Sequence, residues 1–230
     1  MRCAWLAVLV ACAPTETGNP ATLSLSAHTS DPSVAELGSG TGLRIEQAWV
    51  GLGDVRFARA AECDDVDIEA QIAGPVVSDL ADQPVELLFD GDEASYCEVR
   101  VAFRRVADVT ARPADLLDHS IYIAGMTRND VPFVLRSRMD PELEVESEGA
   151  PFGVLMPLVL SFDVARWFAG MDVDGGELVG GAIRIDEANN EELLDLFEDN
   201  VEDTLELYED LDGDGRRDDD EPRIARSRAP

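Results

Sequence analysis

The sequence predicts a mainly β protein: an antiparallel β-sandwich of Ig-like or Greek-key type, closed by one C-terminal amphipathic helix and an acidic loop. Three observations carry this. First, about ten short apolar runs recur between residues 43 and 186, separated by turn formers such as Asp90-Gly91-Asp92 and Arg128-Asn129-Asp130. Second, apolar and polar residues alternate within the runs. Cys97, Val99, Val101 and Phe103 face Glu98, Arg100, Ala102 and Arg104, the period of a half-buried strand. Third, the period lengthens to three or four in Leu194, Phe197, Val201, Leu205 and Tyr208, one stripe of a helix.

In chain order, residues 12–42 are rich in Thr, Ser, Gly and Pro and read as a flexible tether with one early strand at Thr22–His28. Leu43 and Ile45 then alternate, and the phase shifts at Gln47–Ala48 toward Val50 and Leu52, as at a bulge. Val55 and Phe57 continue the run. Further strands are expected at Val66–Ile72, Val76–Leu80, Val85–Phe89, Ser120–Ala124, Pro132–Arg136, Leu143–Glu146, Val154–Leu160 and Gly181–Ile185. Asp163–Phe168 reads as one helical turn with Trp167 in the core. Asn189 as N-cap with Glu192 three residues on forms a capping box, which places the helix over 189–209. The acidic loop follows at 210–221, and 223–230 is a tail. The chain has no internal repeat, and residues 43–222 read as a single domain, long enough for a sizeable core.

The net charge is −30 at a sequence pI near 4.1. Glu191 to Glu221 holds sixteen acids against two arginines, nearly half of the excess. Such a field repels phosphates, so no nucleic-acid partner is expected. All eighteen basic residues are Arg. Without Lys there is no Schiff-base chemistry, no P-loop lysine and no Ser-Lys catalysis. The two His residues, His28 and His119, lack a second His or a Cys at zinc-ligand spacing. No catalytic set emerges, and no enzyme activity is expected.

The loop carries the one specific chemistry. Asp210, Asp212, Asp214, Asp218 and Glu221 occupy positions 1, 3, 5, 9 and 12 of a twelve-residue stretch, with Gly215 at position 6. Calcium takes six to eight oxygens, and acids on alternate residues of a turning backbone can converge on it. Asp210, Asp212 and Asp214 would give side-chain oxygens, Arg216 its backbone carbonyl, Asp218 a ligand through water, and Glu221 a bidentate closure. The alternative is an acidic, solvated turn. Asp90, Asp92 and Glu93, the pair Asp172 and Asp174, and the segment from Cys63 to Asp67 are weaker candidates, each readable as turn or loop chemistry.

The loop resembles the solitary calcium loops of secreted proteins, such as dockerin-like and thrombospondin-type repeats. It departs from a paired EF-hand in having Arg217 at position 8 and little chain left for an exiting helix. That resemblance implies a weak site, with Kd on the order of 10⁻⁴ to 10⁻³ M.

The start of the chain supplies an address. Residues 1–11 read as a signal peptide, and Leu9-Val10-Ala11-Cys12 resembles a bacterial lipobox. The resemblance implies a lipid on Cys12 as the membrane anchor, and Ala13 rather than Asp after it implies the outer membrane, periplasmic or surface-facing. Signal cleavage after Ala13 and a leader that is not a signal at all are the alternatives. In an exported chain Cys63 and Cys97 would lie in an oxidising compartment and form one disulfide. Closing about 35 residues would stabilise by roughly 3–4 kcal/mol; two buried free thiols are the alternative. The layout, with the entry Trp49 to Phe57, is loosely similar to uncharacterised secreted β-sandwich lipoproteins. The expected role is non-enzymatic: a lipid-anchored, calcium-binding envelope domain with a structural role or an unknown protein or glycan partner. The competing reading is a glycan-binding or glycan-hydrolysing protein using paired carboxylates, which need lie only about 5–10 Å apart.

Overall fold

The computed structural model describes residues 19–28, 42–59, 68–82, 84–91, 95–108, 113–147 and 151–227. Their strands are β1 (Asn19–His28), β2 (Arg44–Arg59), β3 (Ile68–Ile72), β4 (Val76–Asp79), β5 (Val85–Gly91), β6 (Tyr96–Phe103), β7 (Ile121–Met126), β8 (Pro132–Ser137), β9 (Glu142–Ser147) and β10 (Leu158–Asp163). After a short helix α1 (Val164–Trp167) come β11 (Leu178–Val179), β12 (Ala182–Ile185), α2 (Glu191–Glu202), β13 (Leu205–Glu209) and β14 (Arg223–Ser227).

The mainly β class holds, and the strands form one mixed hydrogen-bonded path in the order β11-β12-β8-β7-β2-β6-β9-β14-β13-β10-β1-β5. Two pairings, β1 with β10 and β8 with β12, are parallel, a departure from the expected purely antiparallel arrangement. The strand β2 is the branch point. Trp49 pairs with Tyr122 on one edge and Asp79 on the other, and Val55 likewise with Val101 and Ile72. One edge therefore passes from β7 to β6 while the other carries β4 and β3. At that hand-over Gly51 donates to the Ser120 carbonyl at 2.7 Å and accepts from the Arg104 amide at 2.9 Å. A Cβ there would sit 2.6 Å from the Arg104 carbonyl oxygen, so only glycine fits. The expected bulge appears as a register shift between Ile45 and Gln47. At the far end β5 returns to contact β3, so the sheet curls around its apolar face.

Alternation fills that interior. Leu23, Leu25, Val55, Phe57, Val99, Val101, Leu160, Phe162 and Leu207 are all buried in one cluster. A chain of edge-on rings, Phe103–Phe162–Trp167–Phe197, then joins the sheet to α1 and α2, with centroids 6.5, 6.1 and 5.8 Å apart. Each such burial contributes about 1.5–3 kcal/mol. Trp167 lies in the core as expected, and its indole N–H donates to Thr204 Oγ1 at 2.6 Å, which keeps the buried polar atom satisfied.

Four boundaries differ from the sequence reading. Asn19–His28 is not tether: β1 lies between β10 and β5, inside the domain. Val154 precedes the strand and packs against Gly91, so β10 starts at Leu158. The helix expected over 189–209 is α2 alone, Glu191–Glu202. Its N-cap is Asn190, in the left-handed region at φ 53 with no side-chain cap bond, rather than Asn189. Leu194, Phe197 and Val201 form the buried stripe, but Leu205 and Tyr208 belong to β13. Thr204 ends the helix by donating its hydroxyl to the Val201 carbonyl at 2.7 Å, and its own carbonyl accepts from Asp163 in the next ladder. Finally, the expected tail contains β14, held between β13 and β9.

Candidate metal site

The acidic loop joins β13 to β14, so it is the turn of a β-hairpin and not a loop fed by a helix. Glu209 donates to the Pro222 carbonyl and Asp210 to the Pro157 carbonyl, which closes the hairpin and ties it to the chain entering β10. The loop then folds back over the outer face of the sheet. Ser24, Val159 and Tyr208 stand in one cross-strand row on that face, and all three are buried. Gly215 lies against Ser24 and Pro84, where an added Cβ would meet the Ser24 hydroxyl oxygen at 3.0 Å. The Arg217 guanidinium lies 5.3 Å above the Tyr208 ring. Gly215 also has φ +75, which a β-carbon disfavours.

Short side chains shape the loop from within. Asp210 is buried and accepts from the Gly213 amide at 2.7 Å and the Gly215 amide at 3.0 Å, one bond per oxygen. Asp212 and Asp214 are exposed and accept from the amides two residues on, Asp214 and Arg216. One oxygen each from Asp210, Asp212 and Asp214 lies within 4.8 Å of the others. Two oxygens on one calcium, each at 2.3–2.6 Å, can be at most roughly 5 Å apart, so the triad fits one hard cation. An oxygen that accepts one N–H keeps a second lone pair for a metal.

Asp218 and Glu221 stand outside that group. Glu221 is buried and, like Asp210, accepts one amide on each oxygen, Leu211 at 2.9 Å and Asp218 at 3.0 Å, so its position and not its hydrogen bonding leaves it outside the triad. Burial pushes its carboxyl up, the two amide bonds oppose this, and the Asp210 and Asp218 charges add to the rise. Asp218 is raised by desolvation and then by Asp214, Asp212, Asp220 and Asp219. Arg216 donates its amide to Asp214, which directs the local turn. The structure thus assembles three of the six expected ligands.

The remaining candidates separate cleanly. Asp174 receives Arg128 Nε at 2.6 Å, an ion pair of a turn. Asp172 lines a cleft of about 450 Å³ with Glu177, Asn190, Glu191 and Glu192, but no aromatic ring. Asp90 lies in β5, which runs on through Gly91, while Asp92, Glu93 and the segment from Cys63 to Asp67 lie outside the described residues. His119 Nδ1 is 2.8 Å from the Leu117 carbonyl, and the Ser120 hydroxyl donates to Met139 at 2.5 Å, so these two neighbours form no catalytic pair. Cys12 and Cys63 lie outside the described residues; Cys97 lies on β6 with Sγ 3.3 Å from the Arg59 carbonyl oxygen. The sequence reading missed how Ser24, Pro84 and Tyr208 support the loop. Only the pairing of β5, β1, β10 and β13 brings them under it.

Comparison with family models, with curated proteins and with solved structures finds no match. The fold and the site therefore define the class on their own: a mainly β domain with a candidate acidic metal triad at a hairpin turn.

Proposed function

We propose that the chain is a lipid-anchored domain of the bacterial cell envelope, on the outer membrane, whose C-terminal hairpin binds calcium for a structural, non-enzymatic role. The observation that supports it is the triad of Asp210, Asp212 and Asp214, three carboxylates with ligand oxygens within 4.8 Å and no arginine paired to any of them among the described residues. A calcium ion there would neutralise the repulsion that adds to the desolvation raising Asp218, and would fix the loop over β1. The glycan-active alternative has less support, since the acidic cleft beside α2 offers carboxylates but no ring for a sugar to stack on. The lipid on Cys12 rests on the lipobox-like sequence. A Cys63–Cys97 bridge is supported by the Cys97 sulfur lying beside Arg59, the last residue of the strand that leads toward Cys63.

Two experiments test these claims separately. Isothermal titration of the purified chain should show calcium binding at about 10⁻⁴ to 10⁻³ M that magnesium does not reproduce. Absence of heat at millimolar calcium would remove the metal site. Metabolic labelling with an alkyne fatty acid in a Gram-negative host should mark the wild type and not Cys12→Ala. Equal labelling of both would remove the anchor.

A further inference from the structure

We propose that an apolar patch around the start of β1 rests on the lipid bilayer as a second membrane contact; the inference rests on the anchor at Cys12. Among the described residues six large apolar side chains are exposed, and four of them gather at one end of the molecule. Leu88 is 68% exposed, Leu155 62%, Met156 48% and Leu211 52%.

Three connections bring them together. Leu88 pairs across the ladder with Thr22. Thr22, Pro157 and Asp210 line one shallow cavity of about 250 Å³. Leu155 and Met156 immediately precede Pro157, and Leu211 follows Asp210, whose amide donates to the Pro157 carbonyl at 2.9 Å. The neighbouring Val154 and Ala21 of β1 both lie against Gly91, which places this stretch near the beginning of β1.

The same end is where the chain emerges toward Cys12. Strand β1 begins at Asn19, seven residues after Cys12. Seven residues span at most roughly 25 Å even when fully extended. A lipid on Cys12 therefore holds this end of the domain near the bilayer, with the patch between the two. An acyl anchor alone leaves orientation free. Apolar side chains that enter the boundary of headgroups and acyl chains select one face. Glu86 and Asp90 flank Leu88 on the same face of β5, and Asp212 and Asp214 follow Leu211, so this surface favours an electrically neutral lipid over an anionic one.

The test uses the full acylated chain reconstituted into phosphatidylcholine vesicles with or without bromine on the acyl chains. Leu155→Trp places an indole in the patch, and Leu178→Trp places one on β11, at the opposite end of the sheet order. Trp49 and Trp167 give both variants the same background. The expected result is loss of about half of the added emission of Leu155→Trp in brominated vesicles, from an indole roughly 5–10 Å into the boundary, and none for Leu178→Trp. Equal quenching of the two, with mass spectrometry showing the acyl group on Cys12, overturns the patch and leaves the anchor standing. An unmodified Cys12 overturns both. Light scattering that shows a dimer broken by Leu88→Ser with Leu155→Ser assigns the patch to a second copy and also overturns the proposal.

Discussion

Two acidic regions of this molecule handle their charge in different ways. On the outer face of β2, β6 and β9, arginines reach neighbouring acids: Arg56 pairs with Glu142, and Arg100 with Glu98 and Glu144. The Glu98 hydrogen bond is the largest influence holding the Arg100 guanidinium above its ordinary value. In the hairpin loop, Arg217 is turned onto the Tyr208 ring, and among the described residues no arginine pairs with Asp210, Asp212 or Asp214. In the first region each of these arginines has a carboxylate partner. The second gathers like charges that backbone amides orient but do not neutralise. The difference teaches where a cation could be held: not where acids are most numerous, but where the fold concentrates them without a guanidinium among the described residues.

The largest expected effect tests the matched region. Glu98 is buried, and Arg100→Ala leaves it without its partner, which should destabilise by about 3 kcal/mol. Urea denaturation measures this, and a change under about 1 kcal/mol would show that water replaces the arginine. Next comes the loop. For a site near 10⁻⁴ M that is empty in the unfolded chain, calcium at 1–10 mM should add roughly 1.4–2.7 kcal/mol. Gly215→Ala should cost about 1 kcal/mol or more, because it combines a positive φ with the crowding at Ser24, and it should weaken calcium binding as the loop lifts from β1. An unchanged midpoint and an unchanged calcium response would show that the loop is not held there.

The smallest effects are in pH. Burial pushes Asp186 up, but bonds from Arg136, Asn189 and the Ala188 amide, with the Arg136 charge, hold it below the usual range. A depressed carboxyl stabilises above its unfolded value of about 3.9 and loses that contribution as the pH falls further, so Asp186→Asn should flatten the acid limb below about pH 4. Glu198 has the opposite sign. Burial raises it, the Ser137 hydroxyl opposes the rise, and Glu187, Asp195 and Asp199 add to it. Its ionised form weakens the fold, so stability should rise as the pH falls through its folded value toward about 4.3. Glu198→Gln should remove that rise in melts between neutral pH and 5. Tyr208, pushed up to about 12 by burial and by its bond to Glu206, should hold the hairpin up to pH 10 and release it as the pH rises toward that value. Tyr208→Phe should lose that alkaline step.

Much of this was legible in the residues. Period-two runs gave most strands, the phase shift at Gln47 gave the bulge, and alternate acids gave the triad. What was hidden depends on partners distant in sequence. Leu205 and Tyr208 fit a helical stripe as well as a strand, and the choice falls to strand because Thr204 closes the helix and β10 offers a ladder. Nothing local to Thr22–His28 shows that it pairs in parallel with a strand more than a hundred residues away. The role of Glu221 was hidden for the same reason. Spacing places it beside the triad as a ligand, whereas the hairpin holds it outside that close group as a buried acceptor for two amides.

That last point selects the decisive variant. Replacing Glu221 would loosen the hairpin with or without metal. Asp212→Asn with Asp214→Asn removes two of the triad's charges yet keeps a side-chain oxygen for each turn bond. The measurement is a thermal melt of wild type and this double variant in EDTA, in millimolar calcium and in millimolar magnesium. The expected result is a calcium-selective rise in Tm for the wild type, with the double variant melting as high as the wild type in EDTA and showing no rise. An equal calcium response in both proteins, or none in the wild type, would contradict the claim that this loop is completed by a cation.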